Sequence, residues 1–262
     1  MRRLTRSVRS RLDQLTLAPR FGAIVSVRTS LPMVALTFDD GPHPDVTPRL
    51  IDMFARHGAQ ATHFLVGAAA KARPDLVHAL TDAGHVVANH TYSHRSLARL
   101  SQAERTAELV RGREALGVHA TDLMRPPYGH YDLACARDVV GLGMRAVMWT
   151  RHVRDWEPAT ADQLVERLRK AIVPGTIVLL HEALYTATPT NAEDREAMLE
   201  AVDTILSEQA GTVRFGTVPE LLKAGRPVRR LFDRRGEDAF IAAQQPGSVQ
   251  ESLHPRDDIL AH

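Results

Sequence analysis

The chain alternates short apolar runs with amphipathic stretches. Met33-Val34-Ala35-Leu36, Phe64-Leu65-Val66, His85-Val86-Val87, Ala146-Val147-Met148-Trp149 and Ile177-Val178-Leu179-Leu180 read as buried strands. Between them lie helix signals. Thr47-Pro48 opens a helix that closes at Gly58, and Ser101 with Glu104 has the capping-box spacing. Thr160 with Gln163 repeats it ahead of Leu164-Val165, and Asn191 is placed to cap the helix that carries Met198, Leu199, Val202 and Leu206. Such alternation, in 262 residues of which 44% are hydrophobic, predicts one α/β domain able to bury a full core.

Charge changes the picture only at the ends. The formal net charge is +2, so the chain as a whole is no polyanion binder and no nucleic-acid partner is expected. Arg2, Arg3, Arg6, Arg9 and Arg11 crowd the start, with Asp13 the first acid. Three readings fit that segment: a solvated helix covering one end of the domain, an amphipathic helix on an anionic membrane surface, or a transit peptide. After Gly225 come Arg229, Arg230, Arg234 and Arg235, then a polar tail from Ala242 onward with little to bury. No stretch is apolar enough to span a bilayer, and Arg20 and Arg28 break up the most apolar part of the N-terminus, so a cytoplasmic location is expected. The lone Cys135 excludes an internal disulfide and a cysteine-built metal cluster.

The candidate chemistry begins where the first strand stops. Thr37-Phe38-Asp39-Asp40-Gly41-Pro42 places adjacent carboxylates at a strand end, and neighbouring side chains rarely point the same way, so they should not share one role. One can hold a metal while the other holds a proton. Downstream, His90-Thr91-Tyr92-Ser93-His94 spaces its histidines so that both imidazoles face one way if the segment makes a helical turn. One aspartate and two histidines form an O/N donor set suited to zinc and related divalent ions, with a position left open for water. Taken singly, each motif also has an ordinary reading: paired aspartates before Gly-Pro shape turns, and spaced histidines occur on surfaces and in cores.

Three further segments, Arg125-Pro126-Pro127-Tyr128-Gly129, Asp155-Trp156 and Ile177-Val178-Leu179-Leu180-His181, complete an ordered set of five. In order and interval this set closely resembles the NodB-homology polysaccharide deacetylases, the family 4 carbohydrate esterases, over roughly Leu31 to Gly225. The resemblance implies a single-domain distorted (β/α) barrel over 31–225, preceded by a basic extension (1–30) and followed by a basic, then polar tail (226–262). It implies metal-dependent removal of an acyl group, usually N-acetyl, from an acetylated amino sugar. The alternatives left open are an O-acetyl esterase and a catalytically silent carbohydrate-binding homologue.

Carried over by position, the resemblance makes Asp39 the base and Asp40, His90 and His94 the ligands of one divalent ion, zinc first, with cobalt, manganese or nickel as alternatives. Arg125 then steadies Asp39, the backbone N–H of Tyr128 helps to hold the oxyanion, and Asp155 orients the general acid His181. Trp156 and Leu179 line the acetyl pocket, and Pro127 and His152 join the substrate-binding wall. Two positions depart from the family pattern: His152 stands where the first aspartate of the fourth motif is usual, and Glu182 where an aspartate often follows the acid histidine. Arg151 and Arg154 flank His152, which suggests a cationic rim suited to a phosphate or carboxylate on the substrate. His43, His57, His63, His78 and His85 read as structural or solvent-facing.

Overall fold

The run at Met33 becomes the central strand of a parallel sheet in the computed structural model, which describes residues 2–185 and 194–235, with side chains from Leu12 onward. In chain order the strands are β1 (Ala23–Arg28), β2 (Met33–Asp39), β3 (Thr62–Leu65), β4 (Val86–Asn89), β5 (Leu123–Met124), β6 (Arg145–Ala146), β7 (Arg151–His152), β8 (Ile177–His181), β9 (Arg214–Phe215) and β10 (Arg226–Arg230). The helices are α1 (Arg2–Phe21), α2 (Val46–Arg56), α3 (Gly67–Ala72), α4 (Pro74–Asp82), α5 (Gln102–Ala115), α6 (Leu133–Gly141), α7 (Ala161–Ala171), α8 (Glu196–Glu208) and α9 (Val218–Lys223). Parallel pairing runs β6-β5-β4-β3-β2-β8-β7, with β9 beside the start of β2. The sheet curls into a (β/α) barrel that is incomplete between its outer strands.

Alternation along β2 explains both sides of the wall. Val34, Leu36 and Phe38 face outward and pack with Leu50, Phe54, Leu168, Val202 and Ile205 of α2, α7 and α8. Met33 and Ala35 face inward, beside Phe64, Ala88, Leu123 and Ile177. Each fully buried aliphatic side chain in these layers contributes about 1.5–3 kcal/mol. On the inward face of β2, Thr37 and Asp39 continue the series, so apolar floor gives way to hydroxyl and then carboxylate toward the mouth of the barrel.

The opening in the sheet is closed by β1. Met148 N–H donates to Ile24 O at 2.8 Å and Val27 N–H to Gly175 O at 2.9 Å, so β1 reaches both the segment after β6 and the start of β8. β10 then pairs antiparallel with β1. Both strands lie outside the 31–225 span expected for the domain, whose packing therefore extends in each direction. Ala23, Ile24, Val25 and Val27 are buried, yet their backbone partners are remote in sequence and the arginines around them mask the signal. The basic start forms α1, docked through buried Ala18 and by Gln14 Nε2 to Leu231 O at 3.0 Å, with Leu12 and Leu15 exposed. No helix among the described residues is long and apolar enough to cross a membrane.

Local signals predict the helices well. The capping boxes at Ser101/Glu104 and Thr160/Gln163 are both formed, and α2 ends just before Gly58. Asn191 lies outside the described residues, and the cap position of α8 is held by Arg195, whose side chain makes no cap bond. Of the predicted strand Ala146-Val147-Met148-Trp149, only Ala146 falls in a regular strand, β6. Cys135 is buried, and burial pushes its thiol up to about 12, so it stays unreactive. Of the histidines read as structural, His43 Nδ1 accepts from the N–H groups of Asp45 and Val46 at the start of α2, and His57 pairs with Asp203. His63 and His85 are buried, while His78 is exposed against His119.

Burial, with His63 beside it, pushes the His85 imidazole down to about 3. An unfolded histidine titrates at about 6.5. The unfolded chain therefore takes up this proton first as pH falls, and the stability that neutral His85 carries is complete above about pH 6.5 and drains toward pH 3. His85→Gln should flatten the fall in unfolding free energy between pH 7 and 4, measured by chemical denaturation. An equal fall in variant and parent would remove His85 from the account.

Candidate active site

Every predicted site segment sits at or just beyond the C-terminal end of a strand, the face on which barrel enzymes carry their chemistry. β2 delivers Asp39 from inside the barrel. Its Oδ1 accepts Arg125 Nη1 at 2.6 Å, and Arg125 has no solvent exposure. The same guanidinium donates to Thr37 Oγ1 at 2.9 Å and, at 3.2 Å each, to the carbonyls of Val147 and Met148, and it lies 4.0 Å from the Phe64 ring centre. Burial lowers the Arg125 pKa and Asp39 offsets part of that, which leaves a group of such high intrinsic pKa charged.

Asp40 turns away from Asp39 because its backbone enters the left-handed region, with φ 71°. The following glycine is obligatory for a different reason: a Cβ on Gly41 would stand 1.4 Å from Glu182 Oε1. Glu182 is fully buried beneath this turn. It accepts Thr47 Oγ1 at 2.8 Å, lies 3.6 Å from His63 Nδ1, and its own N–H reaches Asp39 O at 3.1 Å. The second departure from the family pattern is thus a wedge under the paired aspartates.

His90 and His94 do come together, but not on a helical turn. Thr91 and His94 have φ of 66° and 57°, and side-chain acceptors replace helical bonding. Asn89 Oδ1 takes the Thr91 N–H at 2.8 Å, and buried Glu108 on α5 takes the Tyr92 and Ser93 N–H groups at 3.1 and 2.9 Å. His90 Nδ1 lies 2.8 Å from Arg125 O, a carbonyl that can only accept, so the proton is on Nδ1 and Nε2 offers a lone pair. His94 Nδ1 meets the Tyr128 hydroxyl at 3.0 Å, which can orient it the same way.

These lone pairs converge on Asp40. Asp40 Oδ1 is 3.4 Å from His90 Nε2 and 3.1 Å from His94 Nε2, and the ligand atoms of the three buried residues lie within 4.8 Å of one another. Buried Asp40 Oδ1 makes no hydrogen bond among the described residues. Acceptors gathered in a dry pocket fit a divalent cation.

On the opposite side, β8 ends at His181. Its Nδ1 meets Asp155 Oδ1 at 3.1 Å and its backbone N–H donates to Asp155 Oδ2 at 2.8 Å. Burial disfavours the imidazolium, but buried, ionised Asp155 outweighs it and raises the His181 pKa. Trp156 lies edge-on to His181 at 5.4 Å, and His152 is 5.2 Å from Trp156. Leu179 is buried and registers with both Thr37 and His152. Pro127 is buried in the turn that holds Tyr128 at φ 59°. All the predicted site residues therefore belong to one mouth.

Sequence reasoning missed Arg195, whose buried guanidinium donates to Asp155 Oδ2 and, at 2.8 Å, to Asp155 O. It also missed Glu108, the anchor of the histidine loop. Neither carries a local signal, since each is a charged residue in or beside an amphipathic helix. The expected cationic rim is partly paired: the Arg154 guanidinium forms a fork with Glu157 at 2.9 and 2.6 Å, and Arg151 is exposed.

Residues 26–147 match the family described as polysaccharide deacetylase. A chitooligosaccharide deacetylase of Sinorhizobium fredii is 35% identical over 175 residues, 65% of this chain and 79% of that protein. The chain belongs to the polysaccharide deacetylase family. Among solved structures of this family, the Bc1960 peptidoglycan N-acetylglucosamine deacetylase superposes with a TM-score of 0.72 at 28% identity, covering 82% of this chain and 99% of that one. BA3943 of Bacillus anthracis, described as a pseudoenzyme of carbohydrate esterase family 4, has a TM-score of 0.66 at 27% identity, covering 76% of this chain and 68% of that one.

In this chain Gly41→Ala should lower the melting temperature and disturb the paired aspartates, because the new methyl group collides with Glu182. Glu182→Ala in the same chain should recover part of the loss, a coupling read from the double-mutant cycle; additive losses would reject the wedge. His90→Ala should weaken zinc binding to chelator-treated protein by at least about tenfold in calorimetry, because removing one ligand from three leaves too few to hold the ion. Unchanged affinity would place the ion elsewhere.

Proposed function

We propose that this protein is a metal-dependent deacetylase that hydrolyses the N-acetyl group of an amino sugar in an oligosaccharide or its precursor. The observation that carries the reading is a pair of oppositely equipped proton-transfer groups flanking the Asp40–His90–His94 cluster: Asp39 backed by Arg125, and His181 backed by Asp155. Hydrolysis of an amide needs both, because the water must lose a proton and the amine leaves only after gaining one. Chitooligosaccharide and peptidoglycan N-acetylglucosamine, named for the relatives, share an acetylated amino sugar and support that substrate class.

Asp40, His90 and His94 would hold the ion, zinc matching their O/N donors best with cobalt, manganese or nickel as alternatives, and when bound it supplies the Lewis acidity that brings the pKa of water to about 7. Asp39 accepts the proton of the attacking water. Arg125 occupies its Oδ1, which leaves Oδ2 for that task. The Tyr128 N–H donates to the carbonyl oxygen as negative charge develops there, an interaction that strengthens toward the transition state. His181, its Nδ1–H pinned on Asp155, gives the Nε2 proton to the departing nitrogen. Trp156 and Leu179 enclose the acetyl methyl, with Pro127 and His152 on the groove wall.

Incubation with chitooligosaccharides and zinc should remove acetyl groups, read as 42 Da losses of about one acetyl each by mass spectrometry, and a chelator should stop the reaction. Asp39→Asn should keep zinc and lose about 10²- to 10⁴-fold in kcat. Activity within a few fold of the parent would assign the base elsewhere. Turnover of O-acetyl sugars alone would make the protein an esterase, and carbohydrate binding without turnover of either substrate would align it with the pseudoenzyme.

A further inference from the structure

Outside the five motifs, the buried charge in closest engagement with the site is Arg195, fourteen positions beyond His181, with 5% of its side chain exposed. It holds both members of the acid pair by side chain and by backbone. Nη2 donates to Asp155 Oδ2 and, at 2.9 Å, to His181 O; Nη1 donates to Asp155 O at 2.8 Å, and Nε to His181 O at 3.2 Å. Asp155 Oδ1 is thereby left to the imidazole alone. A carboxylate with both oxygens committed cannot rotate, and the histidine it orients cannot leave the barrel mouth with its strand end tied to the same guanidinium.

We propose that Arg195 is a positioning residue that locks Asp155 and His181 into one unit, the counterpart on the acid side of Arg125 on the base side. The inference rests on the acid role of His181 proposed above. Charge gives it a second function. Asp39, Asp40 and Asp155 all bear on His181, the first two from across the mouth and the third in contact, while Arg125 and Arg195 are the buried cations bound to Asp39 and Asp155. Asp155 is the carboxylate in contact with His181 and Arg195 is the cation on its other oxygen, so removing Arg195 leaves that carboxylate less neutralised, and the imidazole would hold its proton harder when it should release it.

The test uses the full-length, zinc-loaded protein and variants Arg195→Met, Arg195→Lys and Asp155→Asn. Imidazole NMR titration, with His181 assigned through His181→Gln, should move the His181 midpoint to higher pH in Arg195→Met and to lower pH in Asp155→Asn. Arg195→Lys keeps the charge and loses the fork, so its midpoint should stay while kcat on an N-acetylated chitooligosaccharide falls about tenfold. Arg195→Met should lose about 100-fold in kcat, the scale of a small misplacement of a reacting group, with KM within a few fold. On 4-nitrophenyl acetate, whose phenolate departs without a proton, both arginine variants should stay within a few fold of the parent. An unmoved midpoint in Arg195→Met, parallel losses on the amide and aryl ester, or a fully active Arg195→Lys would overturn the proposal. Should Arg195→Met not fold, Arg195→Lys decides through the last two outcomes. Because the midpoint is read without turnover, a parent protein inactive on acetylated sugars would count against the proposed function and leave the Arg195 measurement valid.

Discussion

A guanidinium with no solvent exposure must be neutralised where it stands, and the Arg125–Asp39 contact does this inside the barrel. Leaving such a charge unpaired costs about 3–5 kcal/mol, so the pair constrains everything that touches it. Arg125 reaches Thr37 and Asp39 on β2, the carbonyls of Val147 and Met148, and the face of Phe64 on β3; its own carbonyl orients His90. One residue thus sets the direction of Asp39, the tautomer of His90 and the spacing of three walls. The apolar layer of Ala35, Phe64 and Ile177 beneath keeps water from relaxing the arrangement.

Around this pair the mouth is built from backbone that most sequences avoid. The non-glycine residues with positive φ among those described are Asp40, Thr91, His94, Tyr128 and Arg154, and every one lies in a loop at the strand ends. Positions of this kind cost of order 1–3 kcal/mol each and persist only where surrounding contacts over-determine them. Here the contacts are buried carboxylates and amides: Glu182 under Asp40, Asn89 and Glu108 under the histidine loop. Strain placed this way aims side chains that a relaxed strand or helix would send elsewhere. Asp40 and His94 converge because neither continues the element before it.

The two groups proposed to transfer protons, Asp39 and His181, stand in opposite electrostatic surroundings. Asp39 faces a guanidinium inside the barrel, whereas His181 faces a carboxylate, and its pKa rises against the penalty of burial. Separation of an acid from a base on a single mouth is the condition for amide hydrolysis without a covalent intermediate. The family relationship is consistent with that layout, and the pseudoenzyme among the relatives shows that the fold alone does not guarantee activity.

What the sequence determined by itself was whatever is written in neighbouring residues. Continuous apolar runs marked β2, β3, β4 and β8, because a strand buried on both faces needs no polar alternation. The capping boxes at Ser101 and Thr160 were legible because the bonds they make span three residues. Five ordered motifs named the mouth. Only the tertiary structure decided the rest, since its causes are contacts between residues far apart in the chain. The closing strand β1 takes its bonds from Met148 and Gly175, and the histidine loop departs from a helical turn because Glu108 supplies the acceptors. Arg154 pairs with Glu157, and Arg195 finds Asp155, forty positions before it. Side-chain charge has no periodicity, and its partner is set only when the barrel closes.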